Sequence, residues 1–164
     1  MARLKQEYEA EGFFGIGVLH SGDEQNIGTL WRSAFILGAS FIFTIDKKYT
    51  KQSSDVTKAW SKIPLYHYPD FDNFRLSIPY AASIIAVEMT DTAVLLQEFS
   101  HTPRAVYLLG NEADGLPSSV IEQCHHTISL PGDYSLNVAV AGSIVIYDRV
   151  NKIRTPLPQR PNKD

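Results

Sequence analysis

The 164-residue sequence holds one cysteine, Cys124. An internal disulfide is therefore excluded, and a lone thiol suits a reducing compartment. No apolar run approaches the roughly 20 residues that cross a bilayer. The opening MARLKQEYEAEGF is charged and lacks the apolar stretch of a secretory signal. These features predict a cytoplasmic protein without a membrane association. An excess of positive charge is also missing: 15 Lys and Arg stand against 18 Asp and Glu, for a net charge of −3. That weighs against indiscriminate nucleic-acid binding and leaves room for a local basic surface. There is no internal repeat, no GxGxxG dinucleotide loop and no phosphate-cradling loop with its lysine.

What is present is ordinary globular composition, 44% hydrophobic and 20% charged, in a chain long enough for one well-packed domain. Short apolar, β-branched runs at 13–20, 41–45, 65–68, 83–89, 105–110 and 127–130 predict strands. Between them, 26–38 repeats apolar residues at helical spacing and ends on Gly38, where a C-cap is expected. Helices are also expected at 70–76, opened by an Asp70 cap, at 92–99, at 116–124 with Pro117 in the first turn, and at 136–152. Alternating strands and helices predict an α/β fold with a mainly parallel sheet and flanking helices. No linker precedes residue 153, so 1–152 form a single domain, and the Pro-rich 153–164 read as a flexible tail.

In such sheets ligands bind beyond the carboxyl ends of the strands. That directs attention to the loops 21–26, 110–116 and 130–136. In the first, NIGTLWR (26–32), Asn26 can cap the helix, Gly28 allows close approach of a ligand, and Arg32, six residues on, can face the same cleft as Asn26. An arginine among apolar helix residues equally suits a structural ion pair. The second, LGNEADGLP (109–117), leaves a strand through Gly110, passes Glu112 and a second glycine, Gly115, and enters a helix. A plain turn explains it as well. The third places Ser135 and Asn137 at the mouth of the last helix, where Ser135 serves either as a cap or as a ligand contact.

Taken in order, these loops resemble motifs 1, 2 and 3 of the SpoU/TrmH branch of the SPOUT methyltransferases. Asn26, Gly28 and Arg32 match the first, Gly110, Glu112 and Gly115 the second, and the run from Ser135 to Ala141 the third. The likeness covers about residues 13–150. The stretch from Ile128 to Ser135 is a residue shorter than the commoner loop of the family. The resemblance implies a C-terminal deep trefoil knot, against the general rarity of knots, and a homodimer in which motif 1 of one subunit completes the site of the other. Ala139, Ala141 and Gly142 of the last helix suit close packing at that interface.

The implied reaction is methylation of a ribose 2′-hydroxyl in RNA by S-adenosyl-L-methionine, with no metal. Backbone groups around Val87, Glu88, Gly110, Ile128 and Leu136 are the implied cofactor contacts. Arg32 is the first candidate for catalysis, as a cation beside the acceptor oxygen rather than a base, because guanidinium stays protonated in proteins. Asn26 orients Arg32 or the ribose. Ser135 and Asn137 shape the pocket, and Glu112 supports its loop or polarises the substrate site. Transfer RNA is favoured as substrate, with ribosomal RNA or a catalytically silent RNA-binding role as alternatives.

Lys47, Lys48, Lys51, Lys58 and Lys62, with Arg149, Lys152, Arg154, Arg160 and Lys163 near the end, are candidate phosphate contacts. Each cluster alone is equally a solvated charged face. Cys124, His125 and His126 make a poor metal cluster, since adjacent positions rarely converge on one ion. Cys124 reads as a packing residue rather than a nucleophile, and His20 as either a cleft residue or an incidental loop histidine.

Overall fold

The computed structural model describes residues 12–20 and 22–160. The charged N-terminal stretch up to residue 11, Ser21 and Lys163 therefore lie outside the described residues. Seven strands form one sheet: β1 (Phe13–Leu19), β2 (Phe41–Ile45), β3 (Leu65–Tyr68), β4 (Ser83–Val87), β5 (Val94–Leu95), β6 (Arg104–Leu109) and β7 (His126–Ser129). Their order is β3-β2-β1-β6-β4-β7-β5, with every pairing parallel. Both faces of a parallel sheet are covered by its crossovers, which is why the central strands read as unbroken apolar runs. The α/β expectation holds.

Helices α1 (Glu24–Ile36) and α4 (Val138–Lys152) cover one face, and α2 (Phe71–Ser77) and α3 (Ser118–Ile121) cover the other. Along β1 the side chains alternate between faces. Phe14, Ile16 and Val18 meet Ile27, Leu30, Trp31 and Ala34 of α1 with Val145 and Ile146 of α4. Gly15 and Gly17 leave the other face flat, and the rings of Phe41 and Phe43 lie in that space; a Cβ on Gly15 would come within 2.3 Å of the Phe41 ring. Burying this much apolar surface is the main force holding the layers together.

Several local expectations hold and several do not. Asp70 caps α2, its carboxylate accepting from the Asn73 N–H at 2.8 Å. Gly38, at φ 85°, follows the end of α1 as a left-handed residue. Asp23, not Asn26, caps α1, accepting from the Gln25 N–H at 2.9 Å. Asn137, not Ser135, caps α4, accepting from Ala139 and Val140 N–H. Residues 92–99 form the short edge strand β5 and a 3-10 turn instead of a helix. There the Lys152 ammonium gathers the Leu96, Gln97 and Phe99 carbonyls, holding the segment in that shape.

Two further corrections concern the last helix. Ala139, Ala141 and Gly142 face inward within the chain, and a Cβ on Gly142 would meet a Leu30 methyl at 2.5 Å. Gly142 serves α1–α4 packing inside the chain and Ala141 faces the cleft, while Val140, Ile144 and Tyr147 form the exposed side of the helix. Arg149 is not a surface phosphate contact. It is 1% exposed and donates to the carbonyls of Thr102, Pro103 and Phe13 and to the Tyr107 hydroxyl. Beyond α4, Thr155 and Pro156 lie against Gly38. Among the described residues no helix is long and apolar enough to cross a membrane.

Candidate active site

A cleft of about 260 Å³ opens at the carboxyl ends of β4, β6 and β7. This is the position that open α/β sheets give to ligands. Its walls are the ends of those strands, the loop 110–116 and the segment leading from β7 into α4. Leu109, Leu136, Val138 and Ala141 give it an apolar side, and Glu88, Glu112 and Ser135 a polar one.

The loop after β6 is folded tightly on itself. Asn111 and Gly115 form a bridge. The Asn111 side chain accepts from the Ala113 and Asp114 N–H groups at 2.9 and 2.8 Å, an arrangement Asn favours in turns. Gly110 sits so close that a Cβ would stand 2.2 Å from the Gly115 carbonyl carbon. Glu88 clamps the loop from β4: one carboxylate oxygen accepts from Leu116 N–H at 2.8 Å, the other from Met89 N–H at 3.0 Å. Gly115, at φ 65°, has no room for a Cβ, which would lie 2.6 Å from the same carboxylate. The glycine spacing thus serves contacts within the chain as well as an open cleft.

Asn26 reaches this loop from the first turn of α1, which follows β1, the neighbour of β6. Its amide donates to Glu112 at 2.6 Å, so the first two motif loops meet. Val87, Glu88, Gly110 and Leu136 line the cleft as expected. Ile128 lies just beneath it, fully buried, with its carbonyl accepting from Glu88 N–H at 3.0 Å, while Ser129 and Leu130 form the wall. Ser135 lines the cleft, its hydroxyl 3.8 Å from the Met89 sulfur, and Asn137 stands outside it as the α4 cap.

Arg32 is not brought to this cleft within one chain. It is exposed on α1 and has no hydrogen-bond or ion-pair partner among the described residues, so the structural ion pair is not formed. Gly28 accommodates the chain itself: the 52–55 loop seats on it, and a Cβ would lie 2.2 Å from the Ser54 hydroxyl. Lys47, Lys48, Lys51 and Lys58 are exposed along that same loop beside α1.

The other candidates disperse. The Cys124 sulfhydryl donates to the Val120 carbonyl, and burial pushes its thiol up to about 11. His125 Nδ1 accepts from Ile84 N–H at 2.9 Å, and His126 lies edge-on to Phe99. Three neighbours thus face three directions. His20 pairs with Asp46 at 2.7 Å above β1 and β2. Sequence reasoning missed Asp23, signalled by an acid just ahead of the helix, and Tyr134 and Met89, which line the cleft and carried no signal.

A mixed polar and apolar cleft beyond a parallel sheet, closed by a glycine-rich turn and backed by an amide–carboxylate contact, stands where open α/β folds place their ligands. The chain belongs to the SpoU rRNA Methylase family, which it matches over residues 16–147. It is 31% identical over 147 residues to rRNA methyltransferase 1, mitochondrial, of Schizosaccharomyces pombe, covering 79% of this chain and 48% of that protein. The chain thus spans about half the length of that relative. Among solved structures, the AdoMet-bound rRNA methyltransferase from Sinorhizobium meliloti superposes with a TM-score of 0.75 at 23% identity, covering 85% of this chain and 57% of that one. A protein solved in connection with the 2-OH methylation of C/U34 on tRNA gives 0.74 at 22% identity, covering 87% and 97%. At these identities the likeness is one of fold.

Proposed function

We propose that this protein is an S-adenosylmethionine-dependent RNA methyltransferase acting on a ribose 2′-hydroxyl, with transfer RNA the favoured substrate. The observation that carries this reading is that the second and third motif loops line one cleft, while the first touches its wall through the 2.6 Å contact of Asn26 with Glu112. The cleft suits the cofactor. Leu109, Leu136, Val138 and Ala141 offer apolar surface to an adenine ring, and the strand-end backbone at Val87, Glu88 and Gly110 offers polar groups for its nitrogens and ribose. When bound, S-adenosylmethionine supplies a methyl group already activated on a sulfonium, so no metal is required.

The protein's share is to align the acceptor oxygen and manage its proton. Arg32 stays protonated, so it holds a neighbouring phosphate and stabilises the developing alkoxide rather than acting as base. Its exposed, unpaired position on α1 supports delivery into a second subunit's cleft. The uncovered Val140, Ile144 and Tyr147 of α4, with Ile36 of α1, support a homodimer through that side. Asn26, fixed by Glu112, orients the ribose, and Ser135 faces it from the cleft wall. Lys47, Lys48, Lys51 and Lys58 bind phosphates.

The relatives name both RNA classes. The transfer-RNA reading draws on the neighbour covered over 97% of its length. The trefoil knot belongs to the same proposal, since the chain leaves β7 on one half of the sheet and returns beside the 110–116 loop to α4, packed on α1. So do a single domain over 1–152 and a cytoplasmic location, for which the lone free thiol speaks.

Calorimetric titration with S-adenosylmethionine and S-adenosylhomocysteine tests the reading, followed by tritiated methyl transfer onto bulk transfer and ribosomal RNA. Micromolar binding and label resistant to alkaline cleavage at the modified position are expected. Silence toward both cofactors, repeated with bulk RNA present, overturns it.

A further inference from the structure

The loop between β2 and β3 carries five lysines, Lys47, Lys48, Lys51, Lys58 and Lys62, and its own acid is turned inward. Asp55 is 3% exposed, its carboxylate accepting from the Ala59 N–H and the Thr57 hydroxyl. Asp46 is engaged by His20. The outer surface of the loop is therefore basic. Within it a 3-10 turn, Ala59–Ser61, sends Ala59 into the core and leaves Trp60 only partly covered. The residue before the turn, Lys58, is held in the left-handed region at φ 51°, a costly conformation for a residue with a side chain. The Lys51 ammonium rests over the Trp60 ring, 3.8 Å from its centroid.

The loop is fastened to α1 at several heights. The Ser54 hydroxyl donates to the Gln25 carbonyl at 2.7 Å, next to the seat on Gly28. The Tyr49 and Trp31 rings meet edge to face at 5.9 Å, and Lys62 lies over the Phe35 ring at 4.7 Å. Trp60 is thus held at a set position relative to the helix that carries Arg32.

From this arrangement we infer that Trp60 and Lys51 form a nucleobase-stacking platform, a specificity contact to an unpaired nucleotide of the RNA. The inference rests on the methyltransferase reading above and extends it. An exposed ammonium over an indole is a weak attraction, whereas a base offers a whole aromatic face and brings a phosphate with it. On binding, the base takes the ring face and Lys51 moves from ring to phosphate, so one exchange makes two contacts. Because the loop is tied to α1, the platform sets the distance between the stacked base and the ribose presented to Arg32.

The test is fluorescence titration of the protein with bulk transfer RNA, alongside methyl-transfer kinetics and S-adenosylhomocysteine affinity. Emission of the partly exposed Trp60 should fall as RNA binds, and Trp60→Phe should remove that change while keeping affinity within a few-fold. Trp60→Ala should weaken RNA binding about ten-fold or more and leave S-adenosylhomocysteine affinity as it was. Lys51→Met should reduce the salt dependence of RNA binding by about one phosphate's worth. Should Trp60→Phe and Trp60→Ala both bind and methylate RNA like the wild type, Lys51 over Trp60 is a surface pair only and this inference alone falls. If the wild-type protein neither binds nor methylates RNA, the methyltransferase reading falls and takes this one with it.

Discussion

Asn26 and Glu112 stand 86 positions apart in the chain and meet at 2.6 Å, amide to carboxylate. The contact ties the first turn of α1 to the loop after β6, and Asn26 also donates to Asp23 at 3.3 Å. Both acids need a donor there. Asn26→Asp places a third carboxylate among them, and kcat/KM for methyl transfer should drop at least ten-fold. Adding Glu112→Gln restores one donor–acceptor pair with its direction reversed, so the double variant should recover much of the loss. A double variant no better than Asn26→Asp would show that the contact does not govern activity.

Gly115→Ala should act on the cofactor side. The added methyl meets the Glu88 carboxylate at 2.6 Å and strains a left-handed backbone. Glu88 then loses its hold on Leu116 N–H, and the cleft wall shifts. Calorimetry should report weaker S-adenosylhomocysteine binding, by ten-fold or more, with a small loss of thermal stability of about 1 kcal/mol.

Arg149→Ala should be a folding defect, not an RNA-binding defect. It removes a charged donor from the Thr102, Pro103 and Phe13 carbonyls and the Tyr107 hydroxyl, of which Pro103 keeps the Phe13 N–H and Tyr107 keeps His101. Lost hydrogen bonds to a charged group cost about 1.5–3 kcal/mol and the emptied side-chain space adds to that, so a loss of about 3 kcal/mol is expected, or a melting temperature lower by roughly 10 °C. A variant that melts like the wild type would refute the structural role.

The Tyr107 hydroxyl that meets Arg149 also meets His101, whose other ring nitrogen bonds Asp148, and this cluster sets a pH dependence. Burial holds the His101 imidazole below its usual pKa, against the opposing pull of Asp148. The unfolded chain therefore takes up a proton that the folded chain refuses. The stabilising contribution of neutral His101 is complete above pH 6.5 and is lost as pH falls through the lower folded value. Urea midpoints should fall from pH 7 to 5, and less steeply in His101→Gln. At the alkaline end, burial raises Tyr107 to about 12, so stability is kept below pH 10 and declines between 10 and 12.

Cys124 offers a simple probe of native order. Burial raises its thiol to about 11, so the reactive thiolate is scarce at pH 8. Thiol reagents should label the native protein slowly and the urea-unfolded chain rapidly; equal rates would mean the α3 region is open.

Much of the architecture was legible because the central strands, buried on both faces, are unbroken apolar runs, and because the turn residues after β6 have few other uses. The misread parts share a cause: tertiary partners decided them. Residues 92–99 have helical spacing, but Lys152 claims carbonyls that a helix would use internally. Arg149 looked like part of a basic tail, although it continues the buried stripe of Val138, Ala141, Val145 and Ile146 and could have been placed by that spacing. Asn26 and Asp23 both suit a helix start, and only the reach of Asn26 to Glu112, invisible locally, assigns the cap to Asp23. The position of Arg32 outside its own cleft was equally beyond local pattern.

The strand order has a consequence for synthesis. β1 is made first and lies mid-sheet, pairing with β2 on one side and with β6 on the other. About 90 residues separate β1 from β6, so at ribosomal speeds of roughly 5–20 residues per second its second edge waits some 5–20 s for its neighbour. The bond from Arg149 to the Phe13 carbonyl spans 136 positions and must wait until α4 has been made. Nascent chains stalled before α4 would carry an open apolar sheet face, the kind of surface chaperones and proteases inspect, so truncated products should be cleared rather than accumulate as partly active fragments.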